Sequence, residues 1–217
     1  MAKLKSSLTN MLLSLTLIAL VAAGLLAAVY NVTKDPIDQA KAQKQAAAKI
    51  AVLPALEGIT VSEEAETVDG MNIYKAYVGD ELAGAAVEAQ EIGFGGVFKM
   101  MVGFDKEGTV TGYQVLEHQE TPGLGAKMDE WFRTDKNHQN VLGLNPGKCN
   151  LTVSKDGGDV DAITAATISS RAFLLAVTKA YNAYLSDKLE AVSGATVINA
   201  NDNANVNEEE NENKKED

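Results

Sequence analysis

Two stretches hold the residues whose types and spacing could do chemistry. The first is Asp161-Ala-Ile-Thr-Ala-Ala-Thr-Ile-Ser-Ser170, an acid and four hydroxyls around Thr167. From Ile168 to Leu185 no Gly or Pro intervenes. Leu174, Val177, Tyr181, Tyr184 and Leu185 recur there at helical spacing, which predicts an amphipathic helix beginning inside the stretch. Thr167 then falls in the first turn, where backbone N–H groups lack intrahelical acceptors and the dipole presents its positive end. Such a place suits a phosphate. It equally suits an ordinary helix start, with Thr164 or Thr167 as N-cap, and the residue types leave both open. The second stretch is His118-Gln-Glu-Thr-Pro-Gly-Leu-Gly125. Thr-Pro-Gly is a turn in which Pro presets one φ and Gly supplies another. His118 and Glu120 invite a metal or acid–base reading. However, the chain has only one other histidine, His138, and one cysteine, Cys149, and neither completes a ligand spacing. No metal site is expected, and a hydrolase using His118 and Glu120 lacks a nucleophile.

Taken together the stretches resemble the FMN-binding domain shared by the G subunit of the Rnf electron-transport complex (RnfG) and the C subunit of the sodium-pumping NADH:quinone reductase. In that family an acidic residue precedes a Ser/Thr-Gly-Ala-Thr-x-Ser/Thr-Ser/Thr run, whose threonine carries FMN through a phosphoester installed by a separate flavin transferase. The resemblance implies Thr167 as acceptor, Thr164 as first hydroxyl, and Ser169 and Ser170 as the trailing pair. Asp161, Thr164, Ala166 and Thr167 would be read by the transferase. Ala165 replaces the usual Gly: it is strained if that position needs a positive φ and comfortable if it is helical. The His-x-Glu-Thr-Pro-Gly-Leu-Gly run resembles the second signature of the RnfG family, and Glu120 precedes Thr167 by 47 positions. The implied flavin-binding set is Thr164, Ala165, Thr167, Ile168, Ser169 and Ser170 with Glu120, Thr121, Gly123, Leu124 and Gly125. Backbone N–H groups of the Thr-Pro-Gly-Leu-Gly turn could bond the ring's carbonyls and N5 while Leu124 packs on its face. A competing copy of the short motif, Ser193-Gly-Ala-Thr196, has Glu190 at the acidic offset. It lacks both the trailing hydroxyls and a following helix.

The elements that must position these residues follow from the patterning. Met11 to Tyr30 carries no charge, long enough for a transmembrane helix. It exceeds the apolar core usual for a cleaved signal peptide, the rival reading. Lys3 and Lys5 before it place the short N-terminus in the cytoplasm by the positive-inside rule. Asp35 to Leu53, rich in Ala, Gln and Lys, reads as a juxtamembrane helix with Pro36 in its first turn, a stalk with a thin apolar face. Ile73–Val78, Leu82–Ala89, Val97–Phe104 and Thr109–Leu116 read as strands separated by tight turns, hence an antiparallel meander. Gly93-Phe-Gly-Gly96 leads into a strand without βαβ context, so it is a turn rather than a dinucleotide fingerprint. The resembled family also has a glycine-containing turn at the start of this strand, which leaves nearness to the flavin open. Ala126–Phe132 reads as a short helix with Trp131 in the core, Thr134–Cys149 as a surface loop, and Leu151–Val153 as a strand.

The expected class is therefore α+β: an antiparallel sheet with packed helices, preceded by one transmembrane helix. The expected segments are an anchor over 1–33, a stalk over 34–56, an extracytoplasmic FMN-binding domain over 57–190 and a disordered acidic tail over 191–217. A net charge of −11 argues against nucleic-acid binding, which needs a basic footprint. The chain offers no dinucleotide-binding fold and no cysteine set for an iron–sulfur cluster, so substrate chemistry would fall to partners. The resemblance implies a single-pass electron carrier in the bacterial inner membrane, its domain on the periplasmic side. It would work with the membrane and iron–sulfur subunits of an ion-pumping complex linking ferredoxin and NAD. The alternatives are the C subunit of the quinone reductase and, in another class, a flavin-free tethered scaffold in which Thr167 only caps a helix.

Overall fold

The computed structural model of the chain describes residues 8–188. Lys3, Lys5, the second motif copy at Ser193–Thr196 and the acidic tail lie outside the described residues. The chain divides into two compact units, one ending at Lys44 and one starting at Gln45.

The first unit belongs to α1, Leu8–Ala51, whose apolar part has a mean hydropathy of 2.6 and is long enough to cross a membrane. Ser14 and Thr16 satisfy their hydroxyls on main-chain carbonyls of the preceding turn, so neither breaks the apolar character of the span. The helix does not stop at Lys34-Asp35-Pro36, where the sequence predicts that a second helix begins. Pro36 lies inside it. A proline costs one backbone bond and a clash one turn back, and here the helix continues.

The second unit is a curled antiparallel sheet of six strands: β1 (Ile59–Val61), β2 (Glu66–Val68), β3 (Met71–Val78), β4 (Glu81–Ile92), β5 (Val97–Asp105) and β6 (Val110–Glu117). The order is β1-β3-β4-β5-β6, with β2 also on β3. The four long strands are those the alternation predicts. It does not predict β1 and β2, which have three residues each. After β6 come a 3₁₀ turn (Gly125–Lys127), α2 (Met128–Trp131), irregular chain, a second 3₁₀ turn (Ser154–Asp156) and α3, residues 167–188. The expected strand at Leu151–Val153 is only a single bridge between Val153 and Val160. The segment expected as a surface loop carries Val141 and Gln139 inward, both buried. There the N–H of Val110 donates to Leu144 O, and Gly143 N–H donates to Val110 O.

Period-two alternation sorts the sheet into two faces. Ile73, Ala85, Val87, Phe98, Met100, Val102 and Phe104 point one way and join α3 in the larger core. Phe173 stacks on Phe132 with centroids 4.3 Å apart, and Tyr184 stacks on Phe104 at 5.7 Å. Burying each such ring contributes about 1.5–3 kcal/mol. The buried stripe of α3 is Phe173, Ala176, Val177, Ala180, Ala183 and Tyr184. Leu174, expected on that stripe, is buried as well, whereas Leu185 lies at its edge and is 38% exposed.

The other face is covered by the last turns of α1. Ala48, Val52 and Leu53 pack on Tyr74, Ala76, Ala86 and Met101. Gly103 and Gly112 make this possible, since a Cβ would stand 1.9 Å from Val52 O in the first case and 2.8 Å from it in the second. The Thr111 hydroxyl donates to Val52 O (2.6 Å), and Lys49 Nζ lies 3.4 Å from the Tyr74 ring centroid. Residues 45–53 therefore lie against the sheet and give Ala48, Val52 and Leu53 to a core, rather than standing free as a stalk.

Candidate functional site

Three short segments converge at the end of the sheet where β4 meets β5 and β6 leaves it. Their common partner is Glu120. The first segment is the turn 93–96, closed by the Gly93 N–H on Gly96 O (2.9 Å), with Gly96 at φ +130. The Gly95 N–H donates to Glu120 Oε1 (3.1 Å), and Phe94 is 71% exposed.

The second segment follows β6. Thr121-Pro122-Gly123-Leu124 forms the expected turn: Leu124 N–H donates to Thr121 O (3.1 Å), and Gly123 has φ +78. Proline at the second place and a positive-φ glycine at the third give type II. The Glu120 N–H is held by His118 Nδ1 (3.2 Å), while His118 Nε2 lies 3.7 Å from an Asp129 carboxylate oxygen. Among the described residues no cluster could hold a metal.

The third segment is Asp161–Ser170. Asp161 is a local anchor: its carboxylate accepts from the Ser154 hydroxyl (2.8 Å) and the His138 N–H (3.3 Å). Its carbonyl accepts from Trp131 Nε1 (3.0 Å). The Ser154 hydroxyl and then the His138 N–H hold the Asp161 carboxyl below the usual range. Thr164, exposed, and Ala165 form a turn in which Ala165 takes φ +63, the left-handed region. The Ala165 position is therefore one that favours glycine. Ala166 N–H bonds Ile163 O (3.0 Å), and Ala166 O accepts the first helical bond from Ser170 N–H (3.0 Å). Ala166 is thus the N-cap and Thr167 the first helical residue, partly exposed. Alanine has no side-chain oxygen to cap with, so the opening N–H groups of α3 are left for an external acceptor.

The trailing hydroxyls turn inward. Ser169, 1% exposed, donates to Glu120 Oε2 (2.8 Å). Ser170, fully buried, donates to Ala166 O (2.9 Å) and accepts from Ile163 N–H (2.9 Å). Glu120 itself is 5% exposed. The side-chain oxygens of Glu120, Ser169 and Ser170, all three in the expected flavin-binding set, are thus engaged within the protein. Thr164, Thr167, Ile168 and Leu124 keep exposed surface.

The structure brings the two predicted stretches together at Glu120 and Ser169. Asp161 stands apart on its own bonds to Ser154 and His138. Sequence reasoning reads Gly93-Phe-Gly-Gly96 as a turn that the resemblance allows near a flavin, but misses the bond from Gly95 to Glu120. The signal available is an exposed aromatic set among glycines at a hairpin end.

This arrangement offers a hydroxyl at a helix N-terminus, uncapped N–H groups, a loop almost free of side-chain bulk and exposed apolar residues beside it. The FMN-binding domain family matches residues 93–182, and the RnfG N-terminal region matches residues 4–49. The G subunit of the ion-translocating oxidoreductase complex from Aliivibrio fischeri (strain ATCC 700601 / ES114) is 36% identical over 182 residues, covering 77% of this chain and 86% of that one. The protein of the same name from Methanosarcina acetivorans is 34% identical over 181 residues, covering 80% and 92%. Among solved structures, the C subunit of the Na(+)-translocating NADH-quinone reductase from Parabacteroides distasonis aligns with 53% of this chain and 61% of its own, at 21% identity. Its TM-score of 0.38 is too low to transfer any residue role. With an FMN-binding domain behind an RnfG-type N-terminal region, the chain belongs to the RnfG family, the G subunits of ion-translocating oxidoreductase complexes.

Proposed function

We propose that this chain is a membrane-anchored electron carrier that bears FMN on Thr167 Oγ1 through a phosphoester, within an Rnf-type ion-translocating ferredoxin:NAD oxidoreductase. The observation that carries the reading is the seat of Thr167. Its side chain is the first of α3, it keeps solvent access, and its neighbours leave the helix N-terminus uncapped.

The residues present fit the group. A phosphate ester at Thr167 would lie against the first N–H groups of α3 and the positive end of its dipole. Asp161 holds the approach to Ala165 in place through Ser154 and His138, presenting Thr164 to Thr167 as the segment a flavin transferase would read. Thr121, Gly123 and Leu124 supply backbone and one apolar side chain toward the ring, with Gly125 behind them. When bound, FMN supplies reversible electron acceptance and donation. The protein's own task is to hold it covalently and limit its exposure to water. The anchor α1 would place the domain on the extracytoplasmic side, where covalent attachment prevents loss of the cofactor. Other membrane and iron–sulfur subunits would carry the substrate chemistry.

The test is in-gel flavin fluorescence of denatured protein after co-expression with a flavin transferase, for wild type, Thr167→Ala and Thr196→Ala. The expected result is fluorescence in wild type and Thr196→Ala and none in Thr167→Ala. Loss only in Thr196→Ala would move the attachment beyond α3. A dark wild type beside a labelled control substrate would leave a flavin-free scaffold.

A further inference from the structure

We propose that Glu120 is the positioning residue of the flavin site: a buried tie that never touches the flavin but fixes an apolar rim around it. This inference rests on the FMN reading above.

A carboxyl group taken out of water is costly unless its oxygens are bonded. Glu120 is 5% exposed, and each oxygen has one donor, the Gly95 N–H on Oε1 and the Ser169 hydroxyl on Oε2. Those donors lie 25 and 49 positions away in sequence and on different elements. An apolar side chain of the same size could fill the space but could not fasten a hairpin turn to a helix. The surroundings are shaped for this one group. A Cβ on Gly93 would stand 2.1 Å from Oε1, and one on Gly125 would stand 2.2 Å from Oε2 and 2.7 Å from Ser169 Oγ. Glycine is required there by the closeness of the carboxyl.

A regularity follows from these contacts. Each residue that meets the carboxyl, at Gly93, Gly95, Gly125 and Ser169, is preceded by an exposed apolar one: Ile92 (68% exposed), Phe94 (71%), Leu124 (40%) and Ile168 (53%). Four times over, the chain sets a small residue against Glu120 and its neighbour toward solvent. Ile168 directly follows the attachment residue Thr167. The carboxyl therefore fixes where Phe94 and Leu124 stand relative to the first turn of α3, and the ligand class it serves is a flat aromatic ring tethered at Thr167. Phe94 and Leu124 shield that ring and Glu120 holds the shield.

The test uses full-length protein flavinylated in the cell, with Glu120→Ala, Glu120→Gln and Ser169→Ala compared with wild type at equal covalent flavin. The readouts are iodide quenching of native flavin fluorescence and the midpoint potential. Glutamine keeps both links, its oxygen accepting from Gly95 and its amide donating to Ser169 Oγ. It should leave quenching and potential at the wild-type level. Glu120→Ala and Ser169→Ala should raise the quenching constant severalfold and shift the potential. Should Glu120→Ala fail to fold, Ser169→Ala cuts the same tie from the other side. A potential that moves equally in Glu120→Gln and Glu120→Ala would mean that Glu120 acts on the ring by its charge, overturning the proposal. Unchanged quenching in folded, flavinylated Ser169→Ala would also overturn it. Absence of covalent flavin in wild type would instead defeat the FMN reading, so the two failures are distinct.

Discussion

The two ends of α3 both bury polar groups, and they bury them for opposite purposes. At the N-terminal end the buried set is uncharged hydroxyls and one carboxyl, with Ser170 bonded locally and Ser169 bonded to the distant Glu120. The helix N–H groups and Ile168 are left facing outward. At the C-terminal end the set is ionic. Asp187, 5% exposed, meets Lys75 Nζ at 3.2 Å, and Lys75 also meets Glu66 at 2.7 Å. Beside it Tyr184 lies parallel to Phe104 and donates to Asp105 O (3.2 Å), and Lys188 Nζ donates to Lys106 O (2.6 Å). The last turns tie α3 to β3 and to the turn after β5, whereas the first turn leaves its opening N–H groups without a capping side chain.

The comparison breaks most visibly at Lys75. Burial pushes the Asp187 carboxyl up, the neighbouring Glu66 carboxyl adds to that, and Lys75 opposes both. Glu66 is held below the usual range by its bonds to Asp187 and Lys75. Lys75→Met leaves two carboxylates facing each other without the cation. Stripping one partner from a buried pair costs roughly 3–5 kcal/mol. Glu66 can turn to water, which lowers the expected loss to about 2–3 kcal/mol, or roughly 5–10 °C in melting temperature. The pH dependence has a definite sign. Asp187 has a raised folded pKa, so its protonated form contributes stability that is present in acid and lost as pH rises through that value. The variant's deficit should therefore be largest at neutral pH and shrink on mild acidification. Covalent flavin below the melting temperature should be unchanged, whereas Thr167→Ala should lose the flavin and keep the melt.

A smaller effect is expected at Tyr184. Burial first, then the charges of Asp105, Asp187 and Glu107, push its hydroxyl up to about 12 from 10.0. A raised folded pKa gives stability that is whole below the unfolded value and lost as pH climbs through the folded one. Wild type should weaken between those two values by more than Tyr184→Phe, which has nothing to ionise there and keeps only the other buried tyrosines, Tyr74 and Tyr113. Near neutral pH the phenylalanine variant should be less stable by about 1 kcal/mol, for the lost bond to Asp105 O. By about pH 11 that gap should close or reverse, by about 1–2 kcal/mol after screening. Urea melts at both pH values check it. A gap that stays constant would mean the hydroxyl has solvent access and the end is not sealed.

Legibility in sequence follows the same division between local and distant causes. The four long strands declare themselves because inward and outward residues alternate and Gly79-Asp80 and Asp105–Gly108 mark turns. β1 and β2 owe their extension to pairing with β3, which three residues cannot announce. The placement of Thr167 in the first turn of α3 is readable from the apolar period beyond it. Residues 45–53 read wrongly as stalk because what lets them pack is the absence of side chains at Gly103 and Gly112, on strands distant in sequence. Glu120 and the serines stand out as motif members, but their direction does not, because Glu120 and Ser169 bond to partners outside their own runs.

The finest distinction concerns Ala165. If the N-terminal end is shaped by its ligand, residual strain should sit there, and the one non-glycine positive φ in the motif, +63, is where to look. The left-handed region costs an L-residue roughly 1–2 kcal/mol. Glycine relieves that but gives up about 0.5–1 kcal/mol in backbone entropy relative to alanine. The two terms leave a net gain of about 0.5 kcal/mol for Ala165→Gly, or about 1–2 °C in melting temperature. The sign carries the information. Were the residue in ordinary helical geometry, only the entropic term would act and the same substitution would lower stability by about 0.5–1 kcal/mol. Melting of the Ala165→Gly protein before and after flavin attachment decides it. A rise in both states puts the strain in the backbone itself. A fall in both would mean that the turn preceding Thr167 is not held left-handed, and that the first turn of α3 is an unstrained start like any other.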